Sequence, residues 1–285
     1  MGIDRPDEDD APTPVTEHPR NRGLVDPSIG SDEARTEWAE ALPEFRATWH
    51  DHVRRYPRAE RARPAAQDDG SWHGDGVLEL NPQENAEVSS GCERIREVGE
   101  TTIVPAMLSI QAEDSGRHLI GFEHRFKEAD RLKEKVADQV RSKAGLTPAR
   151  ALEMVPDAVR FTLQYPDESY AAGVRRDVSR LEARGFIQVE RRGTWTSGQY
   201  KGINSRWEEP QSGLLFEVQF HTSISFEAKQ LTHKAYERIR AKTEPDPELP
   251  ELEAFQGRIC AMIPVPPGAT HIEDYSRKKH DGRRD

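Results

Sequence analysis

The sequence Leu215-Phe216-Glu217-Val218-Gln219-Phe220-His221-Thr222 alternates apolar and polar side chains along an extended segment. Its phenylalanines and valine fall on one face of a strand, and Glu217 and Gln219 fall on the other. A half-buried carboxylate at a strand centre is costly unless a partner or ligand offsets its desolvation. The segment therefore predicts a strand that packs on a core and presents a functional carboxylate. A solvated edge strand is the alternative.

Strand and helix patterns alternate on both sides of this segment. Further strands are predicted at 155–165, 186–191 and 200–207, the last forming a hairpin with 214–220. Helices are predicted from residue 82 to Pro105, from 129 to about 145, after Pro148, and at 167–184, 225–240 and 249–262. The expected fold class is α/β (α+β), a small mixed sheet flanked by helices.

The N-terminal part of the 285-residue chain differs in composition from the rest. The first 33 residues hold nine acidic and three basic residues together with five prolines, a composition that cannot bury enough apolar surface to offset its ordering entropy. Residues 1–70 are therefore predicted to be a disordered acidic lead-in, an appended helix at 32–55 and a linker. Residues 71–275 are predicted to form one domain, and 276–285 a loose basic tail.

The charge balance limits the classes of ligand. A net charge of −10 disfavours broad sequence-independent nucleic-acid binding, which needs a basic face. A small polyphosphate stays compatible, because residues 125–143 carry seven basic and four acidic side chains. No apolar run or leading signal predicts a membrane span or a signal peptide, so the expected location is cytoplasmic, with export by another route left open.

Two acidic residues are candidate metal ligands. Asp157 and Glu217 are both predicted in strands, and carboxylates that converge from neighbouring strands would hold Mg²⁺ together with nucleotide phosphates. The alternative for Asp157 is an ordinary turn residue after Pro156.

Basic and aromatic residues upstream and downstream are candidate substrate contacts. Arg125, Lys127 and Lys135 would place three cations along one route to a phosphate, although lysines on this helix could also form its solvated side. Tyr200 before a Gly turn is a candidate platform for stacking a base, with a packing tyrosine as the alternative. Lys201 could meet a phosphate.

The order of these motifs resembles a known family. Arg125-x-Lys127 with Lys135, Asp157-x-x-Arg160, Tyr200-Lys201-Gly202-Ile203-Asn204 and Glu217-x-Gln219-x-His221-Thr222 occur in the order of the RelA/SpoT-type alarmone synthetase domain. The similarity covers about residues 121–240 and is closest in character to small synthetase-only and actinobacterial toxin-like members. The implied fold is the nucleotidyltransferase-like RelA/SpoT synthetase fold.

The resemblance implies transfer of pyrophosphate from ATP to the 3′-hydroxyl of a purine nucleotide, giving a (p)ppGpp- or (p)ppApp-like product. It implies that Asp157 binds Mg²⁺ and that Glu217 shares the metal or takes the 3′-OH proton. The ATP base and phosphates would contact four cations, Arg125, Lys127, Lys135 and Arg160. On the acceptor side, Tyr200 would stack on the base and Gln219 would position a ribose, with Lys201, Asn204 and His221 as further contacts.

Three positions depart from the family pattern. Arg131 replaces a Ser, Asn204 stands where a His is common, and His221 stands where an Arg follows the Gln. A histidine there would donate to a phosphate with a charge that depends on pH near neutrality. The resemblance to toxin-like members leaves open that the alarmone synthetase is a toxin, with a neutralising antitoxin or immunity protein as partner. Alternatives to alarmone synthesis are pyrophosphorylation of the tRNA 3′ end by a toxin relative and a catalytically inert nucleotide-binding or interaction module.

Overall fold

The computed structural model describes residues 31–57, 65–240 and 247–277. The helices in these ranges are α1 (Ser31–Arg55), α2 (Pro82–Val98), α3 (Val104–Ala112), α4 (Ala129–Ser142), α5 (Pro148–Glu153), α6 (Tyr170–Ala183), α7 (Ser223–Arg240) and α8 (Leu249–Ala261). The strands are β1 (Ala65–Ala66), β2 (Trp72–His73), β3 (Glu79–Leu80), β4 (His118–Ile120), β5 (Arg160–Tyr165), β6 (Ile187–Gly193), β7 (Ile203–Glu208), β8 (Leu215–Thr222) and β9 (Tyr275–Ser276).

A six-stranded mixed sheet forms the centre of the molecule, in the order β4-β5-β8-β7-β6-β9. β5 and β8 are parallel, and every other neighbouring pair is antiparallel. Parallel neighbours need a long crossover, which here carries α6 and the β6–β7 hairpin. The predicted fold class, a mixed sheet flanked by helices, is confirmed, and the sheet has six strands.

The alternation in β8 decides which face of the sheet is the core. Phe216, Val218 and Phe220 are fully buried and belong to the hydrophobic core. Helix α6 covers this face at close range, because a Cβ at Gly173 would lie 2.5 Å from the ring of Tyr165. The polar residues of β8 consequently point to the other face, where α7 crosses.

Helix α1 differs from the predicted appendage, because it packs directly on the two C-terminal helices. Trp38 and Phe45 are buried in the common core, and the rings of Phe45 and Phe255 meet edge to face at 6.5 Å. The Trp38 indole also donates to Glu227 at 2.8 Å. Its apolar spacing predicted the helix, but the partner helices lie about two hundred residues downstream.

Residues 65–80 form a small three-stranded sheet that the sequence did not predict. Its anchor is Trp72, which is fully buried and donates its indole N–H to Asp130 in the first turn of α4 at 2.9 Å. Helix α2 then begins with a capping box between Asn81 and Glu84.

The helical run does not end near Pro105 as expected. A π-helical turn at Gly99–Ile103 leads directly into α3, where Pro105 occupies a first-turn position that needs no backbone donor.

Several predictions concern the ends of the chain. The lead-in at 1–30, part of the linker (58–64) and the tail from 278 lie outside the described residues. The first two residues of the predicted tail are described and ordered: Ser276 pairs with Glu190 in the sheet, and Arg277 forms an ion pair with Glu208 at 2.7 Å. No helix in the described ranges has the length and apolar character needed to cross a membrane.

Candidate active site

The parallel pairing of β5 with β8 aligns polar side chains on one face of the sheet. Arg160 is the register partner of Glu217, and Thr162 is the partner of Gln219. On the other side of β8, Asn204 of β7 is opposite Gln219. Because alternate residues of a strand share a face, these positions form one polar patch. The structure thus gives Glu217 charged and polar neighbours on both flanking strands.

Asp157 lies in the turn before β5, and not in a strand as predicted. Pro156 begins this turn, in agreement with the turn alternative for residue 157. The position is nevertheless near Glu217, because the Glu217 amide donates to the carbonyl of Val159 at 2.9 Å, two residues after Asp157.

The Asp157 carboxylate is held by two lysines. Its Oδ2 contacts the Lys127 ammonium, and its Oδ1 accepts from the Lys135 ammonium at 2.9 Å. Lys127 is placed by a short antiparallel extension of the sheet edge, in which its backbone N–H donates to Ala158. Lys135 reaches the same carboxylate from the second turn of α4. Three predicted residues therefore form one cluster.

Burial and charge act in opposite directions on this cluster. Burial raises the pKa of Asp157, but the charges of Lys127 and Lys135 outweigh it and lower that pKa to about 2. Burial also lowers the pKa of Lys127, against the opposing effect of the Asp157 charge. The carboxylate is therefore ionised at neutral pH.

Glu217 belongs to a second chain of contacts. The Gln219 side-chain amide donates to Glu217, and its carbonyl oxygen accepts from the Lys229 ammonium on α7. Each donor in this chain faces an acceptor, because the Lys229 ammonium faces the Gln219 amide oxygen and the Glu217 carboxylate faces the amide N–H₂. Glu217 is 3% exposed, so its carboxylate is held in place away from bulk water.

Two predicted arginines have different surroundings. The Arg125 guanidinium lies over the rings of Phe122 and Phe126, 4.4 and 5.0 Å from their centres, and forms an ion pair with Glu100 at 2.6 Å. Arg160 is half-buried, and among the described residues its guanidinium has no hydrogen-bond or ion-pair partner. Arg160 therefore presents an uncommitted positive charge beside Glu217.

Tyr200 is joined to two of the predicted acceptor contacts. Its hydroxyl lies 2.9 Å from Oδ1 of Asn204 and 2.8 Å from Nε2 of His221. The other imidazole nitrogen, Nδ1, is 2.9 Å from the Ser225 hydroxyl. His221 is fully buried, and burial, with the nearby charges of Lys229 and Arg160, lowers its pKa well below the usual value. The expected pH-dependent charge on His221 near neutrality is therefore wrong: the ring is neutral.

Lys201 is not brought into these clusters. Its ammonium donates to the carbonyl oxygen of Trp195 at 2.7 Å, and burial lowers its pKa. Trp195 is itself buried, and its indole N–H donates to the hydroxyl of Tyr170 of α6.

A pocket of about 220 Å³ opens beside the Asp157 cluster, between α2 and the start of α4. Its lining includes Lys127, Phe126 and Arg96, and Arg96 lies 4.9 Å from the centre of the Phe126 ring. Cys92 is half-exposed on its wall.

The donor set fits a magnesium ion in ligand type. Mg²⁺ is commonly bound by one or two carboxylates with substrate phosphates and waters completing the shell, and Asp157 and Glu217 would supply the carboxylates. Within the described residues, no three His, Cys, Asp or Glu side chains form a self-sufficient metal cluster. Both Asp157 oxygens accept from lysines, so a metal at this residue would replace one of those contacts.

Two residues of the site were not predicted. Lys229 and Ser225 both lie on α7, the helix that follows β8 without a connecting loop. The signal available in the sequence was their spacing of one helical turn directly after the polar strand, which places both on the same helix face toward it.

Comparisons with known proteins give matches among solved structures. Neither a protein-family profile nor a curated protein matches this sequence. The chain is similar to the small alarmone synthetase 1 from Bacillus subtilis bound to its product pppGpp, at 14% identity over 65% of this chain and 89% of that chain, with a TM-score of 0.38. It is also similar to a GTP pyrophosphokinase family protein from Streptococcus pneumoniae, at 20% identity over 58% and 83%, with a TM-score of 0.40.

Proposed function

We propose that this protein is a nucleotide 3′-pyrophosphokinase, which transfers the β,γ-pyrophosphate of ATP to the 3′-hydroxyl of a purine nucleotide. The observation that supports the proposal most directly is that two buried carboxylates, Asp157 and Glu217, lie among several cations at one end of the paired strands β5 and β8. Asp157 is there with Lys127 and Lys135, and Glu217 is there with Lys229 and Arg160 as neighbours. The family resemblance of the motifs supports the same reaction.

The proposed chemistry needs a base at the acceptor oxygen. The 3′-oxygen attacks the β-phosphorus of ATP, the bond from that phosphorus to the α,β-bridging oxygen breaks, and AMP leaves. Glu217 takes the 3′-OH proton, as a buried carboxylate oriented by the Gln219 amide can do. Lys229 fixes the amide by binding its oxygen, so the N–H₂ group faces Glu217.

The cations neutralise the charge of the donor. Lys127, Lys135 and Arg160 lie within one short stretch of the surface and would bind the phosphates that move during transfer. Arg125, which lies over the rings of Phe122 and Phe126, would face the donor base as the resemblance implies. Positioning and neutralisation account for most of the catalysis in such reactions.

A bound Mg²⁺ would neutralise phosphate charge and order the triphosphate. Asp157 and Glu217 are the residues that would hold it. The acceptor would stack on Tyr200 and present its 3′-hydroxyl to Glu217. A role as a toxin with a neutralising protein, a tRNA acceptor and a cytoplasmic location stay predictions from the sequence.

The test is a label-transfer assay. The purified protein with Mg²⁺ and γ-labelled ATP is incubated with AMP, ADP, GMP, GDP, GTP or deacylated tRNA, and the products are separated. We expect label on a purine nucleotide with the unaltered protein and a loss of at least about 100-fold with Glu217→Gln, because general-base catalysis contributes about 10²–10⁴-fold.

The matched control is Glu208→Gln, on the neighbouring strand β7, where the carboxylate pairs with Arg277. This variant should transfer label at the rate of the unaltered protein. Label on tRNA alone would show that the acceptor is a tRNA and not a free purine nucleotide. Absence of transfer to every acceptor, with ATP bound, would contradict the proposal and favour a binding module.

A further inference from the structure

We infer that Asn204 and His221 are positioning residues that fix the Tyr200 hydroxyl, and with it the ring on which the acceptor base stacks. The inference rests on the proposed function, because it concerns the acceptor site of that reaction. Neither residue needs to touch the base. Each acts through the same phenolic oxygen, at 2.9 and 2.8 Å.

The contacts form one directional hydrogen-bond chain. Each hydroxyl has a single proton to donate, and a neutral imidazole donates from one nitrogen and accepts at the other. The Ser225 hydroxyl is closer to Nδ1 of His221, at 2.9 Å, than to the carbonyl of Thr222, at 3.3 Å. Donation to Nδ1 leaves the proton on Nε2, which donates to the Tyr200 oxygen, and Tyr200 then donates to Oδ1 of Asn204. Every donor in the chain has an acceptor.

The inner end of the chain is rigid. His221 is fully buried, with its ring edge to face against Tyr200 at 5.4 Å and against Phe226 at 5.9 Å. Ser225 is also buried, and its oxygen accepts from the Thr222 amide at 3.0 Å. A phenol bound to this end takes its position from the sheet and α7, and not from its own loop.

The loop that carries Tyr200 closes tightly over the histidine. A Cβ at Gly202 would lie 2.9 Å from Cε1 of His221 and 3.2 Å from the Tyr200 hydroxyl, so only glycine permits this approach. The Gly202 carbonyl accepts from the Thr194 amide at 2.9 Å and closes the base of the loop. Tyr200 is half-buried on this loop and its hydroxyl is anchored, and a stacking platform needs such a fixed side chain.

The same contacts account for two of the departures from the family pattern. Asn204 and His221 are separate positions in the sequence, yet both bind the one hydroxyl. The departures at positions 204 and 221 are therefore linked, because both residues contact the hydroxyl of Tyr200. A cationic arginine at 221 would have to be buried in the same place without a carboxylate among the groups bound to the imidazole, at a high desolvation cost.

A double-mutant cycle tests the inference. Tyr200→Phe keeps the ring and removes the hydroxyl, and Asn204→Ala removes one of its partners. We expect each variant to raise the acceptor KM about fivefold, the effect of one lost neutral hydrogen bond, with kcat and the ATP KM within twofold. The double variant should be no worse than Tyr200→Phe, because both changes act on one hydroxyl. Additive effects, or a fall in kcat alone, would overturn the inference.

Ser197→Ala is the matched control in the same loop, because the Ser197 hydroxyl contacts the backbone of Gln199 and not Tyr200. It should leave both KM values unchanged. An equal rise in acceptor KM for this control would assign the effect to general loosening of the loop, against the inference.

A second measurement is independent of activity. Nitrogen-15 NMR of His221 should show a neutral ring protonated at Nε2, and Tyr200→Phe should shift the Nε2 resonance by removing its acceptor. If the protein transfers no label but this shift occurs, the hydrogen-bond chain stands and the proposed function fails. If label transfer occurs but Tyr200→Phe changes neither the resonance nor the acceptor KM, the inference fails and the function stands.

Discussion

Two buried aspartates near opposite ends of β5 are held by cations in different ways. Asp157, in the turn before the strand, is bound by Lys127 and Lys135. Asp177 of α6 is bound by Arg117 and Arg180, and it also accepts from the hydroxyl of Tyr165, the last residue of β5, at 2.6 Å. Both carboxylates are at least nine-tenths buried, so burial and ion pairing alone do not separate them.

The difference lies in the partners. Arg117 is 1% exposed and also binds the backbone carbonyl of Ile110. The Arg180 side chain is 21% exposed, but its guanidinium is shared between Asp177 and Glu113, so both arginines of this closed cluster are held by several acceptors. The side chains of Lys127 and Lys135 are 19% and 34% exposed, so an incoming phosphate can reach them. A lysine ammonium on a flexible stem can exchange one oxygen partner for another, whereas an arginine fork with several fixed acceptors is a structural contact. Reachable and exchangeable cations mark the candidate site.

The largest expected effect is on stability at the closed cluster. Asp177→Asn leaves the buried Arg117 with only the more distant carboxylate of Asp114, 3.5 Å away, and breaking a buried pair in this way costs about 3–5 kcal/mol. Urea unfolding followed by circular dichroism measures the loss. Asp114→Asn is the control, because that carboxylate is more exposed and its nearest arginine contact is 3.4 Å away. An equal loss of unfolding free energy in Asp114→Asn would contradict the special role of the buried Asp177–Arg117 pair.

A smaller stability effect is expected at the open cluster, and it depends on pH. The folded-state pKa of Asp157 is about 2, below the usual value of 3.8, so the ion pair stabilises the fold above pH 4. A difference of that size corresponds to about 2 kcal/mol at pH 7. Asp157→Asn should therefore lower the free energy of unfolding by about 2 kcal/mol at pH 7.

The sign of the pH dependence follows from the lowered pKa. Because the unfolded chain binds the proton first on acidification, the contribution of Asp157 is lost as the pH falls from about 4 to 2. Urea titrations of both proteins at a series of pH values measure the gap between them. A gap that stays constant down to pH 2 would contradict the assignment of the ion pairs.

The smallest expected effect separates binding from stability at one cation. Lys135→Met should raise the KM for ATP about tenfold, the effect of one charge-assisted hydrogen bond, and change the free energy of unfolding by less than about 1 kcal/mol. Steady-state kinetics with varied ATP measures this. Lys133→Met, two residues earlier on α4, is the matched control and should leave the KM unchanged. A similar KM for ATP in both variants would contradict a role of Lys135 in binding ATP and would favour the alternative that it belongs to the solvated side of the helix.

The sequence predicted what local patterns encode. The two-residue period of 215–222 predicted both the strand and the face that carries Glu217, and the structure has both. The alternation of strand and helix patterns also predicted a mixed sheet flanked by helices. These features depend on residues close together in the chain.

What could not be predicted depends on distant residues. Pro156 and Asp157 fit both a strand and a turn, and the two lysines that bind the carboxylate lie 30 and 22 residues upstream. The chain from Lys229 to Glu217 requires knowing that α7 crosses the polar face of the sheet. The sequence led us to expect that His221 titrates near neutral pH. Its burial, which lowers its pKa, depends on tertiary packing and could not be read from the sequence.

The packing of α1 has a consequence for biosynthesis on the ribosome. Trp38 and Phe45 find their partners Glu227 and Phe255 only after residues 227 and 255 have been made. Until then the tryptophan and phenylalanine side chains of α1 are exposed, and closing a contact across so long a loop is slow. The nascent chain therefore presents an exposed apolar helix until about two hundred further residues have been made. Helix α8, the last helix in the described ranges, then completes this contact.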